Sequence, residues 1–208
     1  MIKAELIVEV DGREEYRGES RSFLQNFGKV LALFLSSPGY TPDSMGPITQ
    51  TSVTYIDGTP VTVYGEWYAT DTGGGGGAHL AMSAPDNDDT YGIVVGSGTA
   101  TVTPTNYCLA SKIPHGTGPG QLDYDTHTVA SSYTSSSSYV EISRVFVNRS
   151  GGDVVVREVG LMARNYFKDL GAVRNDVKFL IARDVLPSPV RVKNLGSLTV
   201  RYRISLTL

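Results

Sequence analysis

The chain has 208 residues, 40% hydrophobic and 19% charged, which suffices for a sizeable core and is too apolar for a disordered chain. Its 18 Lys and Arg are scattered among 21 Asp and Glu, giving a net charge of −3, and this argues against a nucleic-acid partner. The single cysteine, Cys108, excludes an internal disulfide and a thiolate metal cage, and fits folding in a reducing cytoplasm.

The opening MIKAELIVEV alternates, with Ile2, Ala4, Leu6, Val8 and Val10 on one face and Lys3, Glu5 and Glu9 on the other. This predicts a half-buried strand, with Asp11-Gly12 turning it into a second strand over 13–18. It has no long apolar core, so no signal peptide is expected, and no apolar run approaches the roughly 20 residues of a membrane span. Ser22 is placed to cap a helix whose apolar stripe is Phe23, Leu24, Phe27, Val30, Leu31 and Phe34, ended by Ser36-Ser37-Pro38-Gly39. In a β protein such a helix is expected to plug the end or side of a sandwich, the alternative being an interface helix.

Residues 48–56 and 61–69 read as a strand pair joined by Asp57-Gly58-Thr59-Pro60. The five glycines 73–77 and the acidic stretch around Asp86, Asp88 and Asp89 predict a long loop over about 70–90. A buried strand follows at 91–97, an extended or turn segment at 99–105, and a second long loop region at about 113–138. Within that region 126–133 has strand character, and 135–138 reads as a hairpin tip. In the strand 139–148 the apolar positions change parity between Ile142 and Val145, which suggests a bulge near Ser143-Arg144. Strands are expected at 154–163 and 179–185, then an interruption at Pro187 and Pro189. The last segment, 197–208, alternates Leu198, Val200, Tyr202, Ile204, Leu206 and Leu208 with Thr199, Arg201, Arg203, Ser205 and Thr207. A slip of one residue would bury Arg and expose Leu, so the register is fixed. The pattern predicts a single β-rich domain over 1–208: mainly β, an antiparallel β-sandwich or jelly roll with one N-terminal amphipathic helix.

No pattern signals catalysis. His79, His115 and His127 lie in no metal-ligand spacing, and 86–89 lacks the spaced acids and distal Glu of a calcium loop. There is no G-x-S-x-G elbow, and Cys108 reads as a buried structural thiol. Gly96-Ser97-Gly98 resembles half of a phosphate fingerprint, but no helix pattern follows it, so a turn is expected. Asn148-Arg149-Ser150 matches a glycosylation sequon without a secretory context. Asp123 and Asp125 flank Tyr124 on one face of an extended segment, and with Glu158 they are the carboxylates a polysaccharide hydrolase would use. For glycan contact the candidates are Trp67, Tyr68 and Glu66, although alternation sends Glu66 and Tyr68 to the face opposite Trp67.

Three stretches resemble virion structural proteins of tailed bacteriophages and related viruses. Gly92–Gly96 continuing through Gly98 to Pro104, Tyr107, Leu109 and Ile113 is similar to an "I-V-V-G-x-G … P-x-x-Y-x-L-x-x-x-I" run of phage tail and minor virion proteins. Glu158-Val159-Gly160-Leu161 followed by Leu180-Ile181-Ala182-Arg183 resembles their "E-x-G-L … L-x-A-R" ending. Ser22-Phe23 with Asn26-Phe27 looks like their early "S-F-x-x-N-F" helix. Together these cover about half the chain, in the order such proteins show. The resemblance implies a non-enzymatic component of the tail, tail tip or neck, or a head decoration. Such a protein is made in the host cytoplasm, resides in the virion, needs no cofactor, and assembles with copies of itself and other virion proteins. The alternative is a receptor-binding or carbohydrate-binding adhesin on a β-sandwich, with a host surface glycan as partner.

Overall fold

The computed structural model describes residues 2–20, 22–36, 50–64, 81–168 and 174–207. Among these are ten strands and one helix: β1 (Ile2–Val10), β2 (Arg13–Glu19), α1 (Gln25–Ser36), β3 (Gln50–Thr54), β4 (Pro60–Tyr64), β5 (Gly92–Gly96), β6 (Asp123–Tyr133), β7 (Ser137–Val147), β8 (Val154–Lys168), β9 (Arg174–Val192) and β10 (Ser197–Thr207). The fold is mainly β, and every strand-to-strand pairing is antiparallel. The strands form a five-stranded sheet in the order β2-β1-β10-β7-β6, a three-stranded sheet β5-β8-β9 and a two-stranded sheet β3-β4.

The alternation at the two ends of the chain explains the five-stranded sheet. Val8 faces Val200 and Leu6 faces Tyr202 across β1 and β10, and all four are buried. The intervening Arg201 and Arg203 lie on the other face, where Arg201 pairs with Glu9 and Arg203 with Glu141. Asp11 and Gly12 both have positive φ, 48° and 77°, the mirror-image turn whose twist suits a two-residue hairpin. Buried residues of both larger sheets belong to one cluster: Leu6, Phe146 and Val200 from one, Ile93, Val159 and Leu180 from the other. The Tyr202 hydroxyl also reaches across, donating to Asp184 Oδ2 at 2.9 Å.

Several expectations shift. The helix begins at Gln25, and Ser22 is not its cap. Instead the Ser22 carbonyl accepts from the Arg183 N–H, and Phe23 forms a bridge with Ala182, so 22–24 extends the edge of β9 before the helix starts. Leu24 and Val30 are buried, but Leu31 is 42% exposed. Asn26, which follows no apolar periodicity, is buried and clasps two strands. Its amide nitrogen donates to the carbonyls of Thr54 and Leu180, and its oxygen accepts the Thr54 N–H.

No bulge lies in β7, whose register with β10 is unbroken from Ser137 to Val147. The extra residue is opposite, in β6 between Tyr124 and His127. The parity change arose because the buried side of β7 is the even-numbered one and Arg144 occupies it. Residues 113–122 are irregular apart from isolated bridges, and the strand read at 126–133 is present but begins earlier, at Asp123. At Pro187 and Pro189 the ladder is interrupted as expected: Val156 faces Val190 and Glu158 faces Val185, so 186–189 bulges out opposite Arg157. Proline offers no N–H to a ladder, which suits that excursion.

Candidate functional site

The motif residues meet at one point. Glu158 on β8 and Arg183 on β9 are both buried, and Arg183 Nε donates to Glu158 Oε2 at 2.8 Å. The rest of the carboxylate is filled by backbone of the 97–112 loop. Oε1 accepts the N–H groups of Gly98 (3.1 Å) and Ser111 (2.8 Å), and Oε2 accepts that of Ala110 (3.1 Å). The guanidinium spends its other donors on the same loop, at the Ala100 carbonyl (2.9 Å) and Asn106 Oδ1 (3.0 Å). A buried ion pair is tolerable only when its remaining hydrogen-bonding capacity is met, and here the loop meets it.

The glycines explain how the loop comes so close. A Cβ on Gly96 would stand 2.6 Å from both Glu158 Oε1 and the Ser111 carbonyl, and one on Gly98 would stand 2.5 Å from Oε1. Gly160 leaves room in the same way, since its Cβ would meet Leu109 Cδ2 at 2.9 Å. Gly96-Ser97-Gly98 does lie against an anion, but the anion is the chain's own Glu158. As a hydrolytic carboxylate Glu158 is disqualified: it is fully buried, and four donors occupy it.

A second node holds the 84–88 segment to the five-stranded sheet. Arg144 is 1% exposed, and its described hydrogen bonds go to four carbonyls: Asp125 (2.7 Å), Ile93 (3.2 Å), Pro85 (3.1 Å) and Asp88 (2.7 Å). Its guanidinium lies 4.7 Å from the Tyr124 ring centroid, a cation–π contact. Tyr124 donates to the Ile113 carbonyl at 2.6 Å, and burial pushes its phenol above the usual tyrosine range. His127 accepts the Ile93 N–H at Nε2 (2.6 Å), so its neutral ring carries the proton on Nδ1, 3.1 Å from the Ala84 carbonyl. Burial, and then the charge of Arg144, lower its pKa to about 4.

Beside this node is a small notch of about 190 Å³, lined by Asp86, Asn87, Asp123, Asp125, Val147 and Arg149. Asp123 and Asp125 do share it, as the extended reading of that segment suggests. Asp123 is ion-paired with Arg149 and has His115 Nδ1 at 3.6 Å. A glycosidase acid is raised by an apolar setting, and Val147 is the one apolar residue in the lining. The notch therefore sets its carboxylates beside a cation rather than in an apolar pocket.

The chain matches no family model, no curated protein and no solved structure. Its own geometry must carry the functional reading. Trp67, Tyr68 and Glu66 lie outside the described residues, as do His79 and the glycine run 73–77. Among the described residues no three His, Cys, Asp or Glu side chains gather as metal ligands, and no helix is long and apolar enough to cross a membrane. Cys108 is exposed rather than buried; its neighbour Leu109 takes the buried position against Gly160. Partial burial, the largest influence, raises the Cys108 thiol pKa, the wrong direction for a nucleophile. Asn148 is buried with its amide donating to the carbonyls of Gly152 and Val192, so the sequon offers no free side chain. The acids of 86–89 are partly structural: Asp88 caps Thr90, and Asp89 accepts the His115 N–H and pairs with Lys112.

Sequence reasoning names Arg183 and Asn26 only within the resemblance, His127 only as a metal-ligand candidate and Arg144 only at an expected bulge, and assigns none of them its anchoring role. Arg144 does leave a signal, since it falls in the apolar register of Ile142 and Phe146. Arg183 leaves a weaker one, as the charge that follows Phe179-Leu180-Ile181-Ala182.

Proposed function

We propose that this chain is a non-enzymatic structural component of a tailed-phage particle, in the tail, tail tip or neck or as head decoration, that assembles with copies of itself and other virion proteins. The observation that carries this reading is the Glu158–Arg183 clasp. The glycine stretch, the E-x-G-L segment of β8 and the L-x-A-R segment of β9 that resemble virion proteins are far apart in sequence, yet they converge on one saturated network. Residues of that kind specify a scaffold, because every polar atom is used to hold a loop in place and none is presented to a reactant. On this reading the two larger sheets, sharing one core, are the halves of a β-sandwich, and the loops around it are the surfaces that meet neighbours.

Peptide mass spectrometry of purified particles, together with sedimentation of the isolated chain, tests this. The expected result is the chain's peptides at constant stoichiometry in the particles, and an associating species in solution. A stable monomer absent from particles contradicts the proposal.

A further inference from the structure

The two edges of the five-stranded sheet are built differently. β2, at one edge, carries charge at five of its seven positions (Arg13, Glu14, Glu15, Arg17 and Glu19), and its register with β1 is broken by an irregularity. Charges and irregular register are how proteins stop an exposed edge from pairing with another strand. β6, at the other edge, is guarded among the described residues over its first half alone, where the Asn87 N–H donates to the Tyr124 carbonyl and the His127 N–H to the Ala84 carbonyl. Its second half, Thr128-Val129-Ala130-Ser131-Ser132-Tyr133, has no charge, no proline and an unbroken register with β7. Among the described residues no strand lies beyond it.

The geometry fixes which backbone groups that half presents. His127 sends its N–H away from β7, and backbone direction alternates along a strand, so Val129, Ser131 and Tyr133 also point outward. The hairpin agrees, since the Thr134 N–H donates to the Ser137 carbonyl, which puts the even-numbered residues on the β7 side. The side chains of Val129 (58% exposed) and Tyr133 (74%) lie on the face that also bears Val140 (40%) and Leu206 (49%). Apolar side chains and an open hydrogen-bonding row therefore coincide at one end of one sheet.

We propose that this half of β6 pairs antiparallel with β6 of a second copy of the chain, about a two-fold axis at Ser131, joining two five-stranded sheets edge to edge. The occupant follows from self-complementarity. Centring the pair on Ser131 sets Val129 opposite the partner's Tyr133 and Tyr133 opposite the partner's Val129. All three outward residues then exchange hydrogen bonds, about six in total. The β-branched and aromatic side chains meet in a favoured cross-strand pair, and no like charges oppose each other. The exposed apolar patch continues across the seam. This deepens the assembly reading above and takes from it only that copies of the chain associate.

Sedimentation of the intact chain and two edge variants tests the pairing. Ser131→Glu sets two carboxylates across the axis, and Ser131→Pro removes an outward N–H without touching a bond to β7. Each is expected to raise the dimer dissociation constant by roughly tenfold or more, with the far-UV circular dichroism unchanged. In a Cys108→Ser background, Ser131→Cys is expected to cross-link through a short thiol-reactive linker, and Glu15→Cys on the guarded edge is not. An oligomer unaffected by both Ser131 substitutions and not linked through position 131 overturns the interface and leaves the assembly reading standing. A monomer at every concentration overturns the interface as well, and the peptide content of purified particles then decides the assembly reading separately.

Discussion

Two arginines are equally buried, one on each of the larger sheets, and they are held in different ways. Arg183 meets a carboxylate, Glu158, and the pair shares a shell of loop backbone. Arg144 is held by four carbonyls and an aromatic face. Both fasten a loop to a sheet, the 97–112 segment in one case and the 84–88 segment in the other. The difference lies in what remains when one partner is removed. A buried pair that loses one charge strands the other in a medium that cannot solvate it. A shell of carbonyls that loses its cation leaves neutral acceptors, some on a loop within reach of water.

Breaking the pair is therefore expected to have the largest effect. Glu158→Ala should destabilise the fold by about 3–5 kcal/mol in urea or thermal unfolding, because Arg183 is left uncompensated. If the loss is under about 1 kcal/mol, the clasp does not carry the loop. Arg144→Met keeps much of the apolar stem and removes the donors, for an expected loss of about 2–4 kcal/mol by the same measurement. A loss equal to or greater than that of Glu158→Ala would erase the distinction between the two arginines.

Acidification sharpens the contrast, because His127 sits beside Arg144 and far from the clasp in chain position. Its folded pKa of about 4 lies below the 6.5 of an exposed histidine. The unfolded chain therefore takes up a proton that the folded chain refuses as pH falls. The stabilising contribution is complete above the unfolded value and is lost between it and the folded one, about 2 kcal/mol by pH 5. Comparing unfolding of the parent and His127→Gln at pH 7.5 and pH 5 isolates this, since other titrating groups are common to both proteins. An equal loss in the variant would assign the pH dependence elsewhere. The smallest effect belongs to the outer-face ion pairs of Arg201, a partly exposed side chain between Glu9 and Glu141. Arg201→Ala should cost less than about 1 kcal/mol, and a cost like that of Arg144→Met would mean that exposure does not separate the two.

The regular parts of this architecture are legible because alternation is a local signal. The strand at Ser197–Thr207 is legible because each apolar position marks a face. The β1–β2 hairpin is equally clear, because Asp11-Gly12 satisfies a turn that few dipeptides satisfy. Long-range pairing hides the rest. In β7 a buried arginine looks like a solvent position, so alternation changes phase there and points to a bulge in β7, whereas the extra residue lies in β6. Ser22 has the chemistry of a cap, but its carbonyl is claimed by β9, which sequence spacing cannot show. The Glu158–Arg183 pair was visible only as two halves of a resemblance. That the halves touch, and that Gly96 and Gly98 exist to let a carboxylate approach, depends on a fold that brings positions 96 and 158 side by side.

Imaging intact particles tests the assembly role most directly. A short epitope inserted at Gly151, in the exposed turn between β7 and β8, leaves both the clasp and the β6 edge untouched. Bound antibody fragments should decorate purified particles at one fixed, symmetric position. Undecorated particles, with the tagged chain recovered only in the unassembled fraction, would contradict the account.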